Sequence, residues 1–430
     1  MEPNAVKLRR WQSKIFLLCW LCYSLAYFGR VNIAVALPGL GEYFQTDLAA
    51  VGIMGSAFFG AYAIGQLING ILSSRFGSRG YIFVGLAVSG VCNIFISISN
   101  SFVLSILLWG LNGLAQSMLW VSIVKTAGLW FQPKQYSKVM VGLNTSMVLG
   151  FFLAWGGSGL VIRILSWRFV FLIPGILIVL FAFVWLKMSR NSPNDESLRL
   201  PSEPSEKEEK ENENETALKT GQRAKDVPLL SYKKLIFSSG LLFVVVACMA
   251  QGMVKEGLGV WGPSIIMRLY GLTIDMASFY AMLIPVMNLA GIFFAGILNA
   301  LFGHRVRITI LGLLAIAFVT FGAVWLFAEN SLAAGIVGIA TASGAMFGAN
   351  TMLLGALPLG YSKYNMAAFT AGFLNFFSYV GAGLSSIMLG RVLDTRPQIT
   401  DIFIIWVVVT FIAITSVSIS LRKKYLNFIK

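Results

Sequence analysis

The chain has 430 residues, 57% of them hydrophobic, 13% aromatic and only 12% charged, about half the charge that a soluble domain carries. That shortage excludes an ordinary soluble enzyme, a disordered chain and a small disulfide scaffold. The formal charge is +15, from 33 Lys and Arg against 18 Asp and Glu. These basic residues fall between long apolar runs instead of gathering on one wetted face, so no nucleic-acid partner is expected. The composition is that of a polytopic membrane protein.

At the N-terminus, Lys7, Arg9, Arg10 and Lys14 precede an apolar run, as in a secretory signal. No small-residue cleavage site follows and the run continues through Arg30 to Leu37, so it is expected to be a retained first spanning helix. A helix needs about 20 mostly apolar residues to cross the hydrocarbon core. Twelve stretches qualify: 15–37, 49–72, 80–98, 102–124, 138–162, 167–187, 235–262, 274–301, 307–327, 331–356, 365–390 and 400–421. The one long interruption, 189–234, holds 10 of the 18 acidic residues and four of the 12 prolines, the composition of a solvated, disordered linker. The predicted fold is an all-α membrane protein of twelve transmembrane helices in two six-helix bundles. Residues 1–188 form the N-terminal bundle, 235–430 the C-terminal one, and 189–234 the cytoplasmic linker between them.

Lys and Arg set the orientation of such chains. The N-terminus, the loops at 73–79, 125–138 and 303–307, and the C-terminus are basic, whereas the loops around 38–48, 99–101 and 328–330 carry no Lys or Arg. Arg163, Arg168, Arg268, Arg391 and Arg396 weaken this bias without reversing it. Both termini are therefore expected in the cytoplasm, with the chain in the cell membrane. An internal repeat supports the division into halves: G-I-L-S-S-R-F-G-S-R from Gly70 matches G-I-L-N-A-L-F-G-H-R from Gly296, at an offset of 226 residues. Arg30 stands eight residues before Pro38 and Lys255 eight before Pro263, at an offset of 225. Two parallel halves related by pseudo-two-fold symmetry are one construction of secondary transporters, with the substrate site at their interface.

Charges at membrane depth are few. Arg30 lies about two thirds along the first span, Lys255 inside the seventh, and Glu256 beside it. A cation at mid-bilayer costs about 2.5–3.5 kcal/mol on insertion scales, so each needs a partner or an aqueous cavity. Structural ion pairing or snorkelling is the bland alternative. The symmetric placement favours an anion site, because a guanidinium fork and an ammonium suit phosphate or carboxylate. With one acidic side chain nearby, the cations are expected to remain incompletely neutralised, and Glu256 need not pair with its neighbour Lys255, because adjacent residues do not share a helix face. Glu256 is a candidate for charge compensation or for carrying a coupling proton.

Tyr23, Tyr27 and Arg30 fall on one helical stripe, as do Tyr62 and Gln66. Asn144, Asn288, Asn375 and Tyr379 add polar groups at depth that serve either helix packing or a hydrophilic cavity. The ladder Gly52, Ser56, Gly60 fits close helix packing. Cys19, Cys22, Cys92 and Cys248 lie in apolar runs without metal-ligand spacing. His304 is expected in a solvated loop. The G-x-G-x-x-G from Gly257 to Gly262 closes an apolar span with no strand before it, so it does not support nucleotide binding. No metal, cofactor or hydrolytic set is expected, and an enzyme is not predicted.

Several of these segments resemble the major facilitator superfamily and, within it, the organophosphate:phosphate antiporter family. The first span, Y-S-L-A-Y-F-G-R-V-N-I-A-V-A-L-P, is similar to that family's Tyr-rich segment ending in an arginine followed by Asn and Pro. The seventh, V-K-E-G-L-G-V-W-G-P, is similar to R-x-G-x-x-x-W-x-P, and the eleventh, A-F-T-A-G-F-L-N-F-F-S-Y-V-G-A-G, to A-x-T-A-G-F-x-x-x-x-x-Y-x-G. The resemblance implies the major facilitator fold and exchange of an organic phosphate for inorganic phosphate by alternating access. It would give Arg30 and Lys255 the phosphoryl group, with Tyr23, Tyr27, Tyr62, Asn144 and Tyr379 as cavity partners. Gln66, on the stripe with Tyr62, is a further candidate for substrate binding, and the chain is expected to be a monomer surrounded by lipid. The chain departs from the pattern at Lys255 (Arg in the best-known members), Gln66 (Lys in some), Met147 (His in some), and Ser74 and Ala300 (Asp in the loop signature). Two other functions stay open: a proton-coupled organic-anion symporter dependent on Glu256, and a transporter-derived sensor of an external sugar phosphate.

Overall fold

The computed structural model describes residues 3–132, 135–198, 237, 239–361, 366–395 and 398–422. Among them, twelve helices are long and apolar enough to cross a membrane. They run Val6–Phe44, Leu48–Gly70, Ser78–Ile98, Phe102–Trp130, Lys138–Ile164 and Trp167–Met188 in the first half. In the second half they run Leu241–Tyr270, Ile274–Leu301, Val306–Asn330, Leu332–Leu359, Phe369–Thr395 and Asp401–Ser420. All twelve expected spans are present. The first extends from Val6 to Phe44, beyond the expected 15–37, because a helix continues past the hydrocarbon boundary wherever its backbone bonds are met internally. Leu17, Ile64, Leu107, Phe183 and Val319 stay exposed along the outer surface, as side chains facing lipid must be.

The ends of the helices define two faces, one carrying Pro3, Met188 and Ser420, the other the connections at 45–47, 99–101, 271–273 and 398–400. On the first face, basic side chains close helix C-termini. Lys125 Nζ donates to the carbonyls of Ser73 (2.6 Å) and Phe76 (3.0 Å), and Arg79 Nε to Leu186 at 2.8 Å. Buried Arg307 donates to Ser420, to Ser239 (2.8 Å) and to the Tyr361 hydroxyl (3.2 Å). On the opposite face, Arg168 reaches Ser97 O at 2.8 Å and Arg268 reaches Leu393 O at 2.5 Å. Cations at these carbonyl ends complement the helix dipole, which is why two arginines sit against the general charge bias. His304 is exposed, at a positive φ of 59°.

The halves meet along the second and eleventh spans, the fifth and eighth, and the first and seventh. Gly52 lies so close to the eleventh span that a Cβ there would strike the Ser386 carbonyl. The contact is fixed by Ser386 Oγ to Gly52 O at 2.9 Å and Ser56 Oγ to Gly383 O at 2.5 Å. Beyond them, Asp394 Oδ2 accepts the Ala49 N–H at 2.9 Å. The expected ladder is corrected at its third rung: a Cβ at Gly60 would meet nothing within 4 Å, because Gly60 is exposed while Phe59 and Tyr62 carry the contact with Tyr379 of the eleventh span.

Of the expected disordered linker, Ser189–Leu198 is ordered instead. Pro193 and Leu198 are buried, Glu196 pairs with Arg190 at 3.0 Å and Lys7 at 3.6 Å, and Asn191 Oδ1 accepts the Arg79 N–H at 2.9 Å. Its two apolar side chains and charge partners tie it to the first half. The rest of the linker, 199–234, lies outside the described residues.

Candidate functional site: a cavity beneath two cations

The first span is held at Arg30 by a polar network that crosses the first half. Helical order is interrupted at Asn32, and nearby carbonyls take side-chain amides as partners: Gly29 O accepts from Asn93 (3.1 Å) and Asn112 (3.0 Å), and Ala26 O from Gln116 (3.0 Å). Asn32 in turn donates to Asn93 Oδ1 at 3.1 Å and Val170 O at 2.9 Å. These groups are buried, where an unmet donor or acceptor costs about 1–3 kcal/mol. The network therefore sets the height and rotation of Arg30.

Arg30 projects toward the second half into an aromatic cage. Its guanidinium carbon lies 4.9 Å from the Tyr62 ring centroid, 5.3 Å from those of Tyr27 and Phe58, and 5.7 Å from that of Tyr379, within cation–π range. Nη2 reaches the Tyr379 hydroxyl at 3.4 Å and Glu256 Oε2 at 3.2 Å, and buried Nε has no hydrogen-bond partner. The second oxygen of Glu256, Oε1, is held by Lys255 Nζ at 2.9 Å. This corrects the expectation for Glu256: the neighbours do pair, because the Lys255 side chain is long enough to fold back to a carboxylate that also faces Arg30. One carboxylate is thus shared by both cations, and the triad keeps a formal charge of +1.

A cavity of about 420 Å³ begins at Lys255 and runs toward the face bearing Pro3. Tyr23, Tyr27, Tyr62, Gln66, Asn144 and Tyr379 line it together with Lys255, and exposed Gly355 and Gly372 lie at its mouth. Arg30 and Glu256 are not on its wall; they line a much smaller space behind the cage with Phe58, Phe59 and Trp109. The sequence-derived set is therefore brought to one place but in two layers, with Lys255 in front and Arg30 behind. Asn375 and Met147 also line the cavity. Asn288 does not; it is bonded to Ser343 at 2.7 Å between the eighth and tenth spans, as packing glue.

Among the wall residues that escaped the sequence are Trp120, whose ring centroid is 4.6 Å from that of Tyr23, Phe347, 5.4 Å from Lys255 Nζ, and Asn350, whose buried Oδ1 has no partner. The wider helical turn over Met352–Ala356 follows Asn350 immediately. Turns of this kind are frequent at functional sites, yet no residue pattern in the tenth span announces one.

Twelve spans in two halves closed on one face around a central cavity are matched by a family model. Residues 19–386 fit the model of the Major Facilitator Superfamily. The chain belongs to the major facilitator superfamily. As a major facilitator it is a multi-pass membrane transporter and not an enzyme. It is 27% identical over 412 residues to a probable hexose phosphate transport protein of Chlamydia trachomatis serovar D, covering 91% of this chain and 87% of that one. It is 23% identical over 403 residues to the glycerol-3-phosphate transporter of Bacillus subtilis, covering 90% and 87%. Its fold is shared with a bacterial homologue of the human lysosomal transporter Spinster in an inward-facing and occupied conformation. That match has a TM-score of 0.74 at 15% identity and covers 96% of this chain and 97% of the other.

Proposed function

We propose that this major facilitator moves an organic phosphate, of the sugar phosphate, glycerol phosphate or phosphoglycerate type, in exchange for inorganic phosphate. The observation that carries this is the pair Arg30 and Lys255, one from each half, converging on a single carboxylate at the end of the cavity. Two cations sharing one anion leave positive charge where a phosphoryl group would enter, in a low-dielectric setting that strengthens the attraction. Tyr62, Tyr27 and Tyr379 supply hydroxyls around that position, and Gln66, Asn144, Asn350, Asn375 and Trp120 offer amides and a ring for the organic part. The relatives named for hexose phosphate and glycerol-3-phosphate support the same substrate class.

Transport would proceed by alternating access. The described state is sealed by Gly52, Ser56, Ala49 and Asp394 on the face away from Pro3, so the two bundles would rock to open it. With the basic loops inside, both termini are cytoplasmic in the cell membrane, and a monomer suffices because both cations come from one chain. The test is phosphate exchange in proteoliposomes. Arg30→Gln and Lys255→Gln should each abolish exchange of internal phosphate for external sugar phosphate while the protein stays folded; full activity in both overturns the proposal.

A proton-coupled organic-anion symporter is the second reading, favoured by the position of Glu256 between both cations. Uptake that needs a pH gradient and no internal phosphate would decide for it.

A further inference from the structure

We propose that Glu256 sets the charge of the cargo: by remaining bound between Arg30 and Lys255 it leaves the site one positive charge, so the phosphorylated substrate is taken as its singly charged form. This rests on the organophosphate function above and adds the ionic form of the substrate to it.

The charge count comes from the geometry. Glu256 offers one oxygen to Lys255 at 2.9 Å and the other to Arg30 at 3.2 Å, so both of its oxygens are engaged. The titratable and charged groups facing it are Arg30 from the first span, Lys255 from its own and Tyr379 from the eleventh, and Tyr27 and Tyr62 face Arg30 in turn. The charged side chains lining the cavity and the space behind it are those same three, Arg30, Lys255 and Glu256. A singly charged anion beside Lys255 brings the site to zero. A doubly charged one leaves a net −1 where an uncompensated charge is costly. Ejecting the carboxylate would not relieve this, since Glu256 is buried and would lose both partners.

Phosphate monoesters lose their second proton with a pKa of about 6, so both forms are present near neutral pH and the selection has a consequence. Inorganic phosphate is the probe, because it is bound under this function whatever the organic part, and sulfate is the comparator, because it is doubly charged throughout. Equilibrium binding to the purified full-length chain is measured at about pH 5.5 and about pH 8.5. Wild type should bind phosphate at least tenfold more weakly at the higher pH, each unit above a pKa removing the protonated form about tenfold, and sulfate should not compete. Glu256→Gln should bind phosphate more tightly at the higher pH than at the lower, and admit sulfate. Phosphate binding by wild type that is flat or tighter at high pH, sulfate competing as well as phosphate, or an unchanged profile in Glu256→Gln overturns the proposal and leaves the organophosphate function standing. Absence of phosphate binding by wild type at both pH values overturns both. The wild-type measurements decide even where the variant does not fold.

Discussion

Arg30 and Glu256 belong to opposite halves of the molecule and meet at 3.2 Å, directly behind the cavity end at which Glu256 also holds Lys255. The ion pair is therefore both the charge centre of the site and a tie between the halves. Removing one partner of a buried pair costs about 3–5 kcal/mol, because the other is left uncompensated. Here the arrangement is softer on one side: without Arg30, Glu256 retains Lys255.

The two cations are not interchangeable. Arg30 is planar, caged by five aromatic rings at 4.9–5.9 Å, whereas Lys255 presents an ammonium to the cavity. Arg30→Lys should lower exchange at least about tenfold, since the stacked, forked geometry is lost with the charge retained. Lys255→Arg should retain exchange within about tenfold, the cavity having room for the larger head. Initial rates in proteoliposomes at matched protein content check both.

Tyr379 touches Arg30 through its hydroxyl at 3.4 Å and packs against Tyr62 with centroids 4.5 Å apart and the rings tilted by 45°. Tyr379→Phe should keep the cage and remove one hydrogen bond from a charged donor, worth about 1.5–3 kcal/mol, visible as a rise of about tenfold or more in KM with kcat little changed. Tyr379→Ala should cost far more, by opening the cage to water. Concentration-dependent exchange kinetics separate the two variants.

Closure of the face away from Pro3 depends on the absence of a side chain at Gly52, whose Cβ position is occupied by the Ser386 carbonyl. Gly52→Leu should wedge the second and eleventh spans apart and hold that face open. A cysteine placed at Ala49, next to the Asp394 cap, should then react with a membrane-impermeant thiol reagent at least about tenfold faster than in the Gly52 background. The four natural cysteines are buried and contribute little to the signal. Equal labelling rates count against the contact as a closure.

Asn93 and Asn112 both donate to Gly29 O and lie outside the cavity wall. Asn112→Leu should leave the buried Ser89 hydroxyl, which donates to Asn112 at 2.6 Å, without its acceptor and Gly29 O with Asn93 alone, at about 1–3 kcal/mol. A lower thermal unfolding temperature, together with weaker phosphate binding as Arg30 loses its fixed height, is the expected result.

The sequence was informative where one residue's chemistry is anomalous for its surroundings. Arg30 and Lys255 stand out because charge is rare at membrane depth, and the Tyr23, Tyr27, Arg30 stripe follows from helical spacing alone. Trp120, Phe347 and Asn350 were not legible, since aromatic and amide residues in an apolar helix look alike whether they face a cavity, a neighbouring helix or lipid. Gly60 was misleading for the same reason: spacing identifies a face, and only the path of the neighbouring span decides which residues carry the contact.

Length, hydropathy and charge by themselves determined twelve helices, two related halves and a pair of cations at membrane depth, because the bilayer imposes a minimum length and one secondary structure on every span. Tertiary structure alone decided that Glu256 is shared by both cations, that Arg30 lies within the cage while Lys255 opens to the cavity, and that the far face is closed. Side-chain reach and helix packing across 226 residues of chain are cooperative properties of both halves, and no local pattern encodes them.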